Sequence, residues 1–266
     1  MENRPIVFLN SGHGGNDPGA VAYGLVEKTI NLTIAKACRD ELVRHNVIVI
    51  MSKEKDENDK LVDVKTEANY SGAILAVSFH ENAGKGDGWE ALLNLNNPDA
   101  VRLAKLAEKH IKAIGQNSRG LKDGMWLYFV KETDMTAVLF ESAFLDHDKD
   151  NDIIDTVAEQ KLFGVAYAKA ILEYLGIAYK EQGTAEKPTA KPTTSGFKPY
   201  LVKKNCDVLN IRSGAGTNFN VVGQIDKNND YKYTIVEEKA GKGSDKGWGK
   251  LKSGAGWIAL DWVKKV

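Results

Sequence analysis

Four residues of metal-ligating or acid–base type stand out by their surroundings: His13, Glu27, His80 and Glu141. His13 lies inside Ser11-Gly12-His13-Gly14-Gly15-Asn16-Asp17-Pro18-Gly19-Ala20, where glycines on both sides let the backbone turn sharply and leave the imidazole accessible. His80 closes the run Ala76-Val77-Ser78-Phe79, and Glu141 closes Ala137-Val138-Leu139-Phe140. Glu27 stands just before an apolar stripe of helical period. Two imidazoles and one carboxylate, with a fourth position left open, suit a catalytic zinc ion. Such an ion lowers the pKa of water towards ~7. A second carboxylate can take the proton and pass it to a leaving nitrogen. These are the parts for metal-assisted hydrolysis of an amide. No compact His-Glu-x-x-His motif is present, so the fold has to bring the parts together.

Each residue alone has a plainer reading. A histidine at a strand end is usually structural, and a glutamate before a helix complements the helix dipole. The functional reading therefore rests on the elements that carry them. Ile6 to Asn10, Val47 to Met51, Ala73 to His80, Trp89 to Leu95 and Ala137 to Phe140 read as strands. Ile30, Ile34, Cys38 and Leu42 repeat every four residues as one helix stripe. Asp99 can cap a helix with the stripe Ala100, Leu103, Ala104, Ala107, Ile111 and Ile114. Ala158, Leu162, Val165, Leu172 and Leu175 mark a closing helix. This alternation implies an α/β domain, a mostly parallel sheet flanked by helices on both faces. In such sheets functional groups gather beyond the carboxyl ends of the strands, which is where the four residues fall.

From Lys180 to Gly196 there is no large apolar residue, and Pro188 and Pro192 stand among small and polar ones. That composition cannot form a core and reads as a tether. The chain of 266 residues therefore divides into 1–178, a linker at 179–198, and 199–266. The charges divide with it: the net formal charge of zero is the sum of −7, +2 and +5 over those segments. Short strand-like runs at Leu209 to Arg212, Val221 to Ile225, Tyr231 to Glu238, Trp248 to Leu251 and Gly256 to Leu260 make the last segment a small all-β barrel. Trp248 and Trp257 suit its core, while Trp262, Tyr231 and Tyr233 are candidates for an exposed aromatic groove.

The first segment resembles the zinc-dependent N-acetylmuramoyl-L-alanine amidases of bacterial autolysins and phage endolysins. The resemblance covers nearly all of residues 5–176. It rests on the Gly12-His13-Gly14-Gly15 turn with Asp17 and Gly19-Ala20, then Glu27-Lys28 with Asn31-Leu32, then Ala68-Asn69. Ser78-Phe79-His80 with Asn82-Ala83 follows, and last comes Val138-Leu139-Phe140-Glu141 with Phe144-Leu145. The order is the family's own. The resemblance implies zinc ligands at His13, Glu27 and His80, and Glu141 as the catalytic carboxylate. Asn10, Ser52-Lys53, Lys65 and Glu81 stand where the family more often has Asp, Thr-Arg, Arg and a small residue. The last segment resembles a bacterial SH3-like domain, on Leu209-Asn210-Ile211-Arg212-Ser213-Gly214-Ala215-Gly216-Thr217, Gly247-Trp248 and Gly256-Trp257-Ile258.

Together these resemblances imply a zinc-dependent hydrolase of peptidoglycan in Gram-positive cell walls, cutting between N-acetylmuramic acid and the L-alanine of the stem peptide, with the barrel holding it on the wall. A phage endolysin is expected first and a host autolysin second. A zinc peptidase cutting within the stem peptide, and a wall-binding protein with a dead enzyme half, are the rivals. The balanced charge gives no whole-molecule attraction for nucleic acid. No apolar run is long enough for a transmembrane segment. No signal-peptide pattern is read at the N-terminus. Synthesis in the cytoplasm with later release to the wall, and a monomeric state, are expected. Two cysteines, Cys38 and Cys206, do not make a disulfide framework. His45 suits a helix C-terminus, His110 borders a helix stripe, and His147, just beyond Glu141, ranks lower as a site residue.

Overall fold

The computed structural model describes residues 4–181, 197–225, 232–252 and 256–266. Most of the expected linker, with Pro188 and Pro192, lies outside the described residues, and so does Tyr231. The chain separates into two compact units, one of Met1–Val21 with Leu25–Lys180 and the other of Ala22–Gly24 with Glu181–Val266.

Up to Lys180 the chain runs β1 (Ile6–Ser11), β2 (Val21–Ala22), β3 (Leu25–Val26), α1 (Glu27–Arg44), β4 (Ile48–Met51), α2 (Leu61–Tyr70), β5 (Leu75–Asn82) and β6 (Trp89–Leu93). It continues with α3 (Pro98–Ala113), β7 (Ser118–Asp123), α4 (Tyr128–Glu132), β8 (Thr136–Phe144), α5 (Asp148–Ile154) and α6 (Val157–Tyr174). Six strands form one sheet in the order β4-β1-β5-β8-β6-β7. The first four are parallel; β6 pairs antiparallel with β8, and β7 runs parallel to β6. The sheet is thus mostly parallel with a reversed pair at one edge.

Register puts Phe8, Ala76 and Ala137 side by side across β1, β5 and β8. On that face they pack against Val64 and Ala68 of α2 and Phe129 of α4. The other face meets α1, α3 and α6. The α1 stripe Ile30, Ile34, Cys38 and Leu42 is buried throughout, as its four-residue spacing predicts. Helices α1 and α6 approach closely at Gly164, where a Cβ would lie 2.5 Å from the Ile34 carbonyl oxygen.

Two helix expectations need correction. The cap of α3 is Asn97, whose side chain accepts from the Asp99 and Ala100 N–H groups, with Pro98 as the first helical residue. In α6 the buried face carries Phe163, Tyr167 and Ile171, while Ala158 is exposed and Leu162 is 48% exposed. The helix is apolar on most sides, so its stripe does not reveal which side is covered. Tyr167 decides the matter: it stacks on Phe140 at 4.7 Å and accepts a 3.0 Å hydrogen bond from Trp89 Nε1. It donates in turn to Ser142 Oγ at 3.1 Å, and that hydroxyl donates to the His80 carbonyl oxygen at 3.3 Å.

The smaller unit contains β9 (Tyr200–Lys204), β10 (Leu209–Arg212), β11 (Val221–Ile225), β12 (Tyr233–Lys239), β13 (Trp248–Leu251), β14 (Trp257–Ala259), a 3₁₀ turn at Leu260–Trp262 and β15 (Val263–Lys265). Its strands form an antiparallel sheet in the order β11-β10-β14-β13-β12-β9-β15. Val202, Leu209, Ile211, Ile235, Leu251 and Ile258 are among the side chains of its core. Trp248 is buried and Trp257 half-buried. Trp262 is 53% exposed, but Tyr233 is a core residue at 3% and cannot line an open groove.

Candidate active site

The four residues singled out in the sequence converge on the carboxyl-terminal side of β1, β5 and β8, with Glu27 brought there by the start of α1. His13 follows β1 in a left-handed backbone conformation (φ 60°), which is uncommon for a residue with a side chain. The chain is held in that shape from outside. The Gly15 N–H donates to Asp56 Oδ1 at 2.6 Å, and the Asn16 N–H donates to Asn58 Oδ1 at 2.8 Å. Lys28 Nζ donates to the Gly15 carbonyl at 2.7 Å while pairing with Asp56 at 2.7 Å. Gly12 is required for a different reason: a Cβ there would lie 2.2 Å from the His80 ring.

Glu27 is the first residue of α1 and sits between the two imidazoles. Its Oε1 lies 3.2 Å from His13 Nε2 and 3.1 Å from His80 Nδ1, and the Glu81 N–H donates to it at 3.0 Å. Its Oε2 accepts from the Ala20 N–H at 2.7 Å. Asn31, one turn along α1, reaches both Glu27 Oε1 and the Gly12 carbonyl. On the far side of His13, Nδ1 contacts Asp17 Oδ2 at 2.8 Å, which fixes the ring so that Nε2 faces Glu27. His13 and His80 stand edge to face, 5.0 Å apart.

The charges follow from this packing. Burial pushes Glu27 up, but the hydrogen bonds from His13 and His80 outweigh it and hold the carboxyl well below the usual carboxylate range. The Glu27 hydrogen bond, opposed by burial and helped by Asp17, raises His13 to about 9. Three convergent donor atoms of type N, N and O, two of them crowded on one carboxylate oxygen, are a donor set that fits a divalent metal ion.

His80 and Glu141 are not at strand ends, as expected, but inside β5 and β8, which continue to Asn82 and Phe144. They are register partners on adjacent parallel strands. On its other side Glu141 is the register partner of Glu90 in β6. Burial, then repulsion from Glu27 and Glu90, pushes Glu141 up to about 8, with His13 pulling the other way. Its Oε2 is buried without a hydrogen-bond partner among the described residues. Glu90 is itself held by Asn82 Nδ2 at 3.0 Å and Arg119 Nε at 2.9 Å. Glu81 is buried, and its carboxyl is driven well up by that burial and by the charges of Glu27 and Glu141.

Sequence reasoning named the four central residues but missed the roles of Asp17, Asn31, Asp56, Asn58 and Glu90. Asp17 and Asn31 carried a signal, since both belong to the quoted motifs. Asp56 and Asn58 gave none, because their partners lie 41 and 42 residues away. The remaining histidines stand elsewhere. His45 closes α1, with Nδ1 on the Glu41 carbonyl oxygen and Nε2 accepting from the Lys180 N–H. His110 pairs with Glu173 at 2.8 Å, and His147 faces Asp87.

Fold and site define an α/β domain with a two-imidazole, one-carboxylate cluster at the carboxyl ends of parallel strands. Residues 7–173 match the N-acetylmuramoyl-L-alanine amidase family, and the chain belongs to it. It is an enzyme, a hydrolase of that family. Among its relatives is the endolysin of Bacillus phage SPP1, 33% identical over 217 residues that span 76% of this chain and 78% of the relative. The sporulation-specific N-acetylmuramoyl-L-alanine amidase of Bacillus subtilis is 31% identical over 207 residues, spanning 76% and 78%. The crystal structure of N-acetylmuramoyl-L-alanine amidase from Clostridium difficile 630 covers 65% of this chain and 98% of its own, with a TM-score of 0.61 at 29% identity. No helix among the described residues is long and apolar enough to cross a membrane.

Proposed function

We propose that this enzyme is a zinc-dependent peptidoglycan hydrolase of the endolysin type, which cleaves the amide between N-acetylmuramic acid and the L-alanine of the stem peptide in Gram-positive walls. The observation that carries the reading is the His13–Glu27–His80 cluster with Glu141 in register beside His80. His13 Nε2, Glu27 and His80 Nδ1 would hold the ion. Zinc bound there supplies a Lewis acid for the scissile carbonyl and acidifies water at neutral pH. Glu141, in register beside His80, would in its ionised form accept a proton from the attacking water and deliver it to the alanine nitrogen as the C–N bond breaks. Asp17 and Asn31 keep His13 and Glu27 in place throughout.

The smaller unit, in this reading, is an SH3-like module that anchors the enzyme to the wall through the tether at 179–198, with 1–178 as the catalytic domain. The antiparallel sheet and its own core support an independent module. The relative from phage SPP1 favours an endolysin, which in this reading acts on the wall after release from the cytoplasm. A host autolysin is the second reading, supported by the sporulation-specific amidase of Bacillus subtilis.

Strong chelation should abolish wall lysis, and stoichiometric zinc should restore it. Full activity in a preparation shown by elemental analysis to be metal-free would overturn the zinc assignment.

A further inference from the structure

Among the described residues a second cluster of ligand-type side chains stands apart from the first: Asp87, His147 and Asp150, each offering one donor atom within 4.8 Å of the others. Asp87 lies in the loop between β5 and β6, His147 directly precedes α5, and Asp150 is in its first turn. Asp150 is fully buried; its Oδ2 accepts from the Gly88 N–H at 2.8 Å and the Phe144 N–H at 2.7 Å. Its Oδ1 receives a 3.2 Å bond from Gln116 Nε2, which leaves that oxygen free to accept again.

The other two groups are not satisfied. Asp87 Oδ1 and His147 Nδ1 are buried atoms with no hydrogen-bond partner among the described residues. They face each other at 3.8 Å, too far for a hydrogen bond. Leaving two such atoms buried and unpaired carries the desolvation penalty of each with nothing to offset it. Lys149 Nζ, 3.9 Å from Asp87 Oδ2, sits on a side chain that is 82% exposed and leaves the inward oxygen unserved. Two donors each ~2.0–2.2 Å from one ion stand ~3.3–3.6 Å apart at a tetrahedral angle and further apart at wider angles. The observed gap suits an ion held between them.

We infer that Asp87, His147 and Asp150 bind a second divalent transition-metal ion, independent of the His13 cluster. One imidazole and two carboxylates select an ion of the zinc or manganese class over calcium, which prefers oxygen alone. The role that follows is structural. Residues 83–88 leave the strand that carries His80, and they are already tied to the segment after β8: Asp146 accepts from the Gly84 and Lys85 N–H groups, and Asp150 from Gly88. An ion on Asp87 and His147 completes this attachment beside the active site.

The test is metal content of the full-length protein after chelation and dialysis against zinc. The parent should hold two equivalents, and His147→Ala, Asp87→Asn and His13→Ala one each. His13→Ala should still show a zinc-dependent rise in melting temperature, and the His13→Ala/His147→Ala pair should not. Asp87→Asn preserves shape, so a folding defect in His147→Ala does not blur the result. One equivalent in the parent, or a second equivalent that survives both His147→Ala and Asp87→Asn, would overturn the site. A second equivalent lost with His147→Ala but no loss with His13→Ala would leave this site standing and refute the assignment of the first.

Discussion

Replacing Glu141 with Gln should lower activity and at the same time stabilise the metal-free protein. The carboxyl is buried, faces Glu27 and Glu90, and has its pKa raised from 4.5 to about 8. A carboxyl whose folded-state value is raised binds its proton more tightly in the native state than in the unfolded chain. The contribution of this group to stability is therefore fullest below about pH 4.5 and declines as pH rises towards 8. At ~1.36 kcal/mol per unit, holding this group ionisable at pH 7 costs about 3 kcal/mol relative to pH 4.5. Gln has nearly the same shape and no charge to bury. Chemical denaturation in the presence of chelator should show the variant more stable than the parent at pH 7, with a gap that closes on moving to pH 4.5. Loss of acid–base assistance should reduce the initial rate of wall hydrolysis by ~10²- to 10⁴-fold, about 3–5 kcal/mol in barrier, while bound zinc at the His13 cluster is retained. A parent–variant stability gap that does not change with pH would refute the electrostatic argument. A variant turning over like the parent would show that another group moves the proton.

His13→Ala should lose zinc from its cluster together with activity, whereas Asp17→Asn, which loosens only the Nδ1 contact, should weaken zinc binding by ~10- to 100-fold, read by competition with a chelating dye. Gly12→Ala should fold yet bind zinc poorly, because its methyl group occupies the place of the His80 ring; metal content beside circular dichroism checks this. A chain ending at residue 181 should cleave soluble wall fragments but lose lysis of whole cells, since the tether's gain in local concentration is gone; equal losses on both substrates would contradict the modular reading. Cys206 should react with a thiol reagent in the native protein, and Cys38, buried and with its thiol pushed far up by that burial, only after unfolding; mass spectrometry of the labelled peptides distinguishes them.

What the sequence revealed and what it hid have physical reasons. The strands that carry His80 and Glu141 were legible because a parallel strand covered on both faces must be a continuous apolar run. The α1 stripe was legible because Ile30, Ile34, Cys38 and Leu42 alternate with polar residues. Strand β7, Ser118-Arg119-Gly120-Leu121-Lys122-Asp123, was not, because an edge strand pairs on one side only and keeps a polar composition. Short α2, α4 and α5 were missed for want of a full stripe, and β9 and β15 for their lysines. The site shows the same division. Residue types that close apolar runs or open a helix stripe identified the four central groups, although β5 and β8 continue past His80 and Glu141. The clamp on the His13 turn by Asp56 and Asn58 depends on contacts between distant segments that no local pattern encodes.

The bond that is cut defines this enzyme's reaction. Purified Gram-positive cell wall should be digested to completion, and the newly exposed amino termini and reducing ends identified by labelling and mass spectrometry. New amino-terminal L-alanine with no new reducing sugar ends is the predicted result. New termini from within the stem peptide, with the muramic acid–alanine amide intact, would contradict it.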